Sequence, residues 1–136
     1  MATTYFHRQM VSILTIAVTV FFFLSPTSGI GGQTNSADKA IHYLLEYVAR
    51  SDLTFIRNSG QYTAQEASAH MQKKYEHFRD KIGTPEQFIE LCATRSLLSG
   101  KPYLVINKQG ETIKTSEWLN AELEEYRNST AAGGSR

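Results

Sequence analysis

Cysteine occurs once in the 136 residues, at Cys92, so no disulfide can close within the chain and no cysteine-based metal site can form. Cys92 lies in the apolar run Phe88-Ile89-Glu90-Leu91-Cys92-Ala93 and reads as a small buried hydrophobe, with an intermolecular disulfide or a reactive thiol as the alternative. Charge of one sign is also scarce: 14 Lys and Arg against 13 Asp and Glu leave a formal +1. That balance argues against nucleic acid as a main partner, since phosphate binding needs a basic excess. His42, His70 and His77 share no ligand spacing and H-E-x-x-H is absent, so no metal site is expected. G-x-S-x-G, a P-loop and any other cofactor motif are missing, and no cofactor is expected. There is no internal repeat and no low-complexity core.

A hydrophobic run of membrane-spanning length is lacking too. Residues 11–24 are almost wholly apolar, short of the roughly 20 residues a spanning helix needs. His7 and Arg8 precede that run without any acid, and Ser25-Pro26-Thr27-Ser28-Gly29 follows with a breaker and small residues. This is the n-, h- and c-region order of a secretory signal peptide, with cleavage expected near Gly29 and an uncleaved anchor as the alternative. Removal of residues 1–29 leaves 107 residues and, with Arg8 gone, a formal charge of 0. The expected organisation is therefore a signal peptide at 1–29, a flexible lead-in at 30–37, one globular domain at 38–127 and a disordered tail at 128–136. The expected location is periplasmic or secreted, with no stable membrane insertion after cleavage.

Within the domain the patterns predict an α+β fold, mainly α, with about four helices and a small antiparallel β-hairpin. Ile41, Leu44, Leu45 and Val48 fall on one stripe of a first helix capped by Ser36 or Asp38. Leu53-Thr54-Phe55-Ile56 is β-prone and is a candidate third strand, followed by a turn at Asn58-Ser59-Gly60. Thr63-Ala64-Gln65-Glu66 is a capping box opening a helix to about Ile82, with Gly83 as its C′ stop. Thr84-Pro85-Glu86-Gln87 starts a third, mostly apolar helix with a second capping box, expected to be the most buried. Residues 97–102 form a loop with two apolar anchors, Leu97 and Leu98. Residues 103–106 and 112–114 make the hairpin, and Thr115 or Ser116 caps a last helix with an acidic outward face.

Two polar groups stand out. Glu66, His70 and Lys74 fall one turn apart on the second helix, an arrangement that can orient a general base, hold an anion, or serve only as a solvated face. Arg57-Asn58 sits at a strand-to-turn junction, where a guanidinium can hold a carboxylate or cap a helix end of its own fold. The loop carrying Ser96, Ser99 and Tyr103 is the expected other half of the surface. The candidate binding residues are thus Arg57, Asn58, Tyr62, His70, Lys74, Ser96, Ser99 and Tyr103, with no catalytic residue assigned.

Thr54-Phe55-Ile56-Arg57-Asn58, Gly60, Tyr62, Ala69-His70-Met71, Lys73-Lys74-Tyr75, Pro85-Glu86-Gln87-Phe88-Ile89, and Ser96 with Ser99-Gly100-Lys101-Pro102-Tyr103 follow one another in an order that resembles the YfeK-like family of small exported bacterial proteins. The chain departs from that pattern at Ser59, where a glycine is usual, and at Leu97-Leu98. The resemblance implies a single compact domain in the Gram-negative envelope and brings no assigned activity. The leading expectation is a non-enzymatic binding or interaction module for an envelope protein or an anionic cell-wall fragment. The alternative is a small envelope hydrolase using His70 with Ser96 or Ser99. The sequence leaves the oligomeric state open.

Overall fold

The structure, a computed structural model, describes residues 31–134, with side chains from residue 35 onward. The signal-peptide assignment at 1–29 lies outside the described residues. Four helices and a four-stranded antiparallel sheet are built in the order α1 (Gly31–Arg50), β1 (Thr54–Arg57), β2 (Gly60–Tyr62), α2 (Ala64–Phe78), α3 (Pro85–Phe88), β3 (Leu104–Ile106), β4 (Thr112–Lys114) and α4 (Thr115–Gly133). Among the described residues no helix is long and apolar enough to cross a membrane.

Ile41, Leu44, Leu45 and Val48 of α1 are all buried, as their spacing dictates, and α1 packs along α2. The capping box at Thr63 forms: the Thr63 hydroxyl accepts the Glu66 amide, and Glu66 Oε2 accepts the Thr63 amide at 2.9 Å. Phe88, Ile89, Cys92 and Ala93 are buried to 2% exposure or less, so the third helix is indeed the most enclosed segment. Cys92 sits there as a small hydrophobe, and burial pushes its thiol up to about 11, far from a reactive thiolate.

Several details differ from the sequence expectation. The lead-in is helical from Gly31. Asn58 and Ser59 both take positive φ, 51° and 69°, which is the backbone a two-residue hairpin turn requires, and the chain returns as β2 instead of leaving as loop. The sheet order is β2-β1-β3-β4, two hairpins joined through β1 and β3. Helix α2 tightens into a 3₁₀ turn at Arg79–Lys81, and Gly83 is not its left-handed stop. Gln87 Oε1 accepts the Gly83 amide at 2.7 Å instead of closing a box on Thr84. Helix α3 widens into a π-helical turn at Ile89–Ala93, where the Thr94 hydroxyl bonds back to the Ile89 carbonyl. Neither Thr115 nor Ser116 caps α4: Lys114 holds the cap position, and the buried Thr115 hydroxyl finds no partner. The expected disordered tail is helical through Gly133, with the Ser129 and Thr130 hydroxyls bonded back to the Tyr126 carbonyl.

The sheet register positions the site. Phe55 pairs with Tyr62 and with Val105, and Val105 pairs with Ile113. Phe55 and Val105 are core residues, so this row faces the helices. Side chains alternate along a strand. Arg57, two residues past Phe55, and Tyr103, two before Val105, therefore lie on the same inner face, where the core runs out.

Candidate functional site

At that edge the inner sheet face meets α2. Helix periodicity puts His70, Met71 and Lys74 on the side of α2 that faces the sheet, and Met71 and Lys74 are buried there. Two adjoining cavities result. A narrow slot of about 30 Å³, room for roughly one water, is lined mainly by Phe55, Arg57, Tyr62, His70, Met71 and Tyr103. An open cavity of about 400 Å³ is lined by Arg57, Asn58, His70, Lys74, Ser96, Leu97, Leu98 and Tyr103. Seven of the eight sequence candidates thus line one cavity or the other. The eighth, Ser99, stands behind Asn58 and donates to its Oδ1 at 2.5 Å.

Arg57 lies over the Tyr62 ring, 4.5 Å from its centroid. Gly60 permits this fold-back: a β-carbon there would meet the Tyr62 ring at 3.2 Å. Lys74 is only 7% exposed. Its ammonium donates to the Arg95 carbonyl at 3.1 Å and stands 5.1 Å from the Tyr103 ring centroid. Burial lowers the Lys74 pKa. His70 Nε2 and the Tyr103 hydroxyl share a hydrogen bond of 3.1 Å. Burial first, then the charges of Arg57, Lys74 and Lys73, lower His70 to about 4, so the imidazole is neutral at pH 7.

Among the described residues neither Arg57 nor Lys74 forms a salt bridge, whereas Arg50, Arg95, Lys114 and Arg127 each do. Among the described residues no acid lines the larger cavity. The slot has one, Glu66, whose Oε2 is held by the Thr63 amide and hydroxyl, which also lowers its pKa. The Glu66-His70-Lys74 row accordingly makes no internal pairs: Glu66 turns to Thr63, His70 to Tyr103 and Lys74 to Arg95. What the cavity offers is two unneutralised cations, the Asn58 and Ser96 polar groups, and apolar walls. Such a set suits a carboxylate, which accepts from both cations while its apolar neighbours lose water.

A Ser–His pair is not built. Ser96 Oγ receives the Asn58 amide at 3.3 Å and the Ser99 amide at 3.4 Å, Ser99 is bonded to Asn58, and His70 is bonded to Tyr103. His70 and Ser96 line the same cavity, but no direct hydrogen bond joins them, so the geometry does not favour the hydrolase alternative. Among the described residues no three His, Cys, Asp or Glu gather as a metal would need.

Two features escaped the sequence reading. The Arg95 carbonyl, acceptor for Lys74, is a backbone group invisible to motif logic. Leu97 and Leu98, expected to anchor their loop inward, are 65% and 97% exposed and stand at the cavity mouth.

The model of a family described as "Family of unknown function (DUF5329)" matches residues 35–127. The chain is 43% identical over 73 residues to a protein of Salmonella typhimurium called "Uncharacterized protein YfeK", a match that takes in 52% of this chain and 61% of that one. The chain thus spans about three fifths of the length of that curated relative. No solved structure matches. With its family match extending over most of its length, the chain belongs to the DUF5329 family.

Proposed function

We propose that this DUF5329 member is a small exported binding module without catalytic activity, and that it holds a carboxylate of an envelope ligand between Arg57 and Lys74. The observation that carries the reading is the pairing pattern. Two cations, one of them 7% exposed, line a cavity to which the described residues contribute no acid, and neither has a salt-bridge partner among them. Burying an unpaired charge costs stability, so an arrangement of this kind is retained where a ligand supplies the counter-charge. Neutral His70 adds recognition through the Tyr103 hydroxyl rather than charge.

Export rests on the residue order at 1–29, and a periplasmic ligand follows from it. Cell-wall stem peptides, which carry free carboxylates beside small apolar side chains, are the first ligands to try. Calorimetric titration of the chain from Ile30 onward with such a peptide and with its fully amidated form tests the reading. The free acid is expected to bind at least about ten-fold more tightly than the amide, and Arg57→Ala is expected to erase the difference. Equal affinity for acid and amide removes the carboxylate reading.

A further inference from the structure

We infer that the occupant of the site is a segment of a protein partner, one whose carboxylate enters between Arg57 and Lys74 while a neighbouring apolar side chain packs on Leu97 and Leu98. This rests on the carboxylate reading of the cavity and names the class of molecule that supplies the carboxylate.

Leu97 and Leu98 stand out on the surface. At 65% and 97% exposure they are the large hydrophobics the fold leaves in water among the described residues. Their loop is not slack. Arg95 and Pro102 form a bridge across its base, the Ser96 amide donates to the Lys101 carbonyl at 2.9 Å, and the Gly100 amide donates to the Ser96 carbonyl at 2.9 Å. Gly100 takes φ +69°, which closes the turn with little strain. Asn58, reaching across from the β1–β2 turn, ties both Ser96 and Ser99. The leucines are thus presented on a preorganised support, which removes the ordering cost that a flexible loop meets on binding.

Size decides between a small acid and a longer chain. A molecule contained in the 400 Å³ cavity reaches only the parts of Leu97 and Leu98 that line it and leaves the outer faces of these largely exposed side chains wet. Only an occupant that runs out through the mouth covers both. Charge decides its character: Arg57 and Lys74 line the same cavity as the leucines without a salt-bridge partner among the described residues, and Lys101 follows in the same loop, also unpaired among them. An apolar centre with a cationic surround matches a segment in which acidic and apolar residues alternate.

The test uses three labelled synthetic peptides of equal length, alternating Glu with Leu, Glu with Ser, and Gln with Leu, read by fluorescence anisotropy. The Glu–Leu peptide is expected to bind at least about ten-fold more tightly than either control. A Leu97→Ser, Leu98→Ser double variant, altering only exposed side chains, is expected to lose that advantage and keep the weaker Glu–Ser binding. Arg57→Ala is expected to weaken both Glu peptides. If the double variant binds the Glu–Leu peptide as the parent does while Arg57→Ala does not, the partner inference fails and the carboxylate reading stands. If Arg57→Ala changes nothing, the carboxylate reading fails and takes the inference with it. Absence of Glu–Leu binding by the folded parent also overturns the inference.

Discussion

The two ends of the molecule treat their polar and aromatic groups in opposite ways. On the α1–α4 side, Tyr43 stacks on Tyr126 at 4.4 Å and Tyr47 on Trp118 at 4.8 Å, and Trp118 meets Phe55 edge-on. The Tyr43 hydroxyl donates to Glu122, a bond that helps push the phenol up to about 12. Arg127 bridges Glu86 and Glu124, and Lys114 holds Glu117. The acidic face of α4 is therefore mostly consumed within its own neighbourhood. On the α2–β1 side, Arg57 and Lys74 have no salt-bridge partner among the described residues, and Leu97 and Leu98 lack cover. The contrast separates two roles: the first end pairs its groups within the fold, and the second is where the proposed function places a ligand.

The largest effect expected is on the finished end. Leu119 of α4 is fully buried, and Leu119→Ala should lower stability by about 2–5 kcal/mol in denaturant unfolding while leaving peptide affinity in the residual folded fraction unchanged. An equal loss of affinity would blur the division between the two ends. Next comes Lys74→Met. It should reduce carboxylate affinity by about ten-fold, or about 1.4 kcal/mol, and leave the melting temperature equal or higher, because a desolvated cation is replaced by an apolar side chain of similar length. A clear drop in melting temperature would move Lys74 to the structural side. Tyr43→Phe deletes one part-buried hydrogen bond and should cost about 1 kcal/mol of stability with no change in binding.

The smallest effect concerns pH. His70 is held near 4 in the folded chain against an ordinary value near 6.5, so between these values the unfolded chain binds the extra proton. Stability should therefore fall as pH drops from 6.5 toward 4, with His70→Gln flattening that slope. His70 is partly exposed, which keeps the effect modest. Unfolding midpoints across that window measure it, and an identical slope in the variant would show that other groups set the acid limb.

Much of this fold is legible in the residues because its signals are local. The α1 stripe, the capping box at Thr63 and the β3–β4 hairpin each follow from spacing within a few residues. Strand β2 is less visible because its turn places Ser59, not glycine, at positive φ. The π-helical turn depends on Thr94 bonding back to Ile89, and the helical tail on hydroxyls returning to Tyr126, neither of which periodicity reveals. The convergence of Arg57, Tyr62 and Tyr103 with α2 follows from strand alternation once the register is known, and register is a long-range property. The outward turn of Leu97 and Leu98 is the least legible feature, since the sequence shows two leucines and not the Asn58 tether that holds them out.

The central claim is that Arg57 and Lys74 await a carboxylate. It is tested most directly by following the Arg57 Nε–H and His70 ring signals by NMR during titration with the Glu–Leu peptide. The account predicts saturable shifts at Arg57, His70, Ser96 and Leu98, absent with the Gln–Leu peptide. Saturable shifts confined to the Tyr47–Trp118 side, with Arg57 and His70 unmoved, would contradict it.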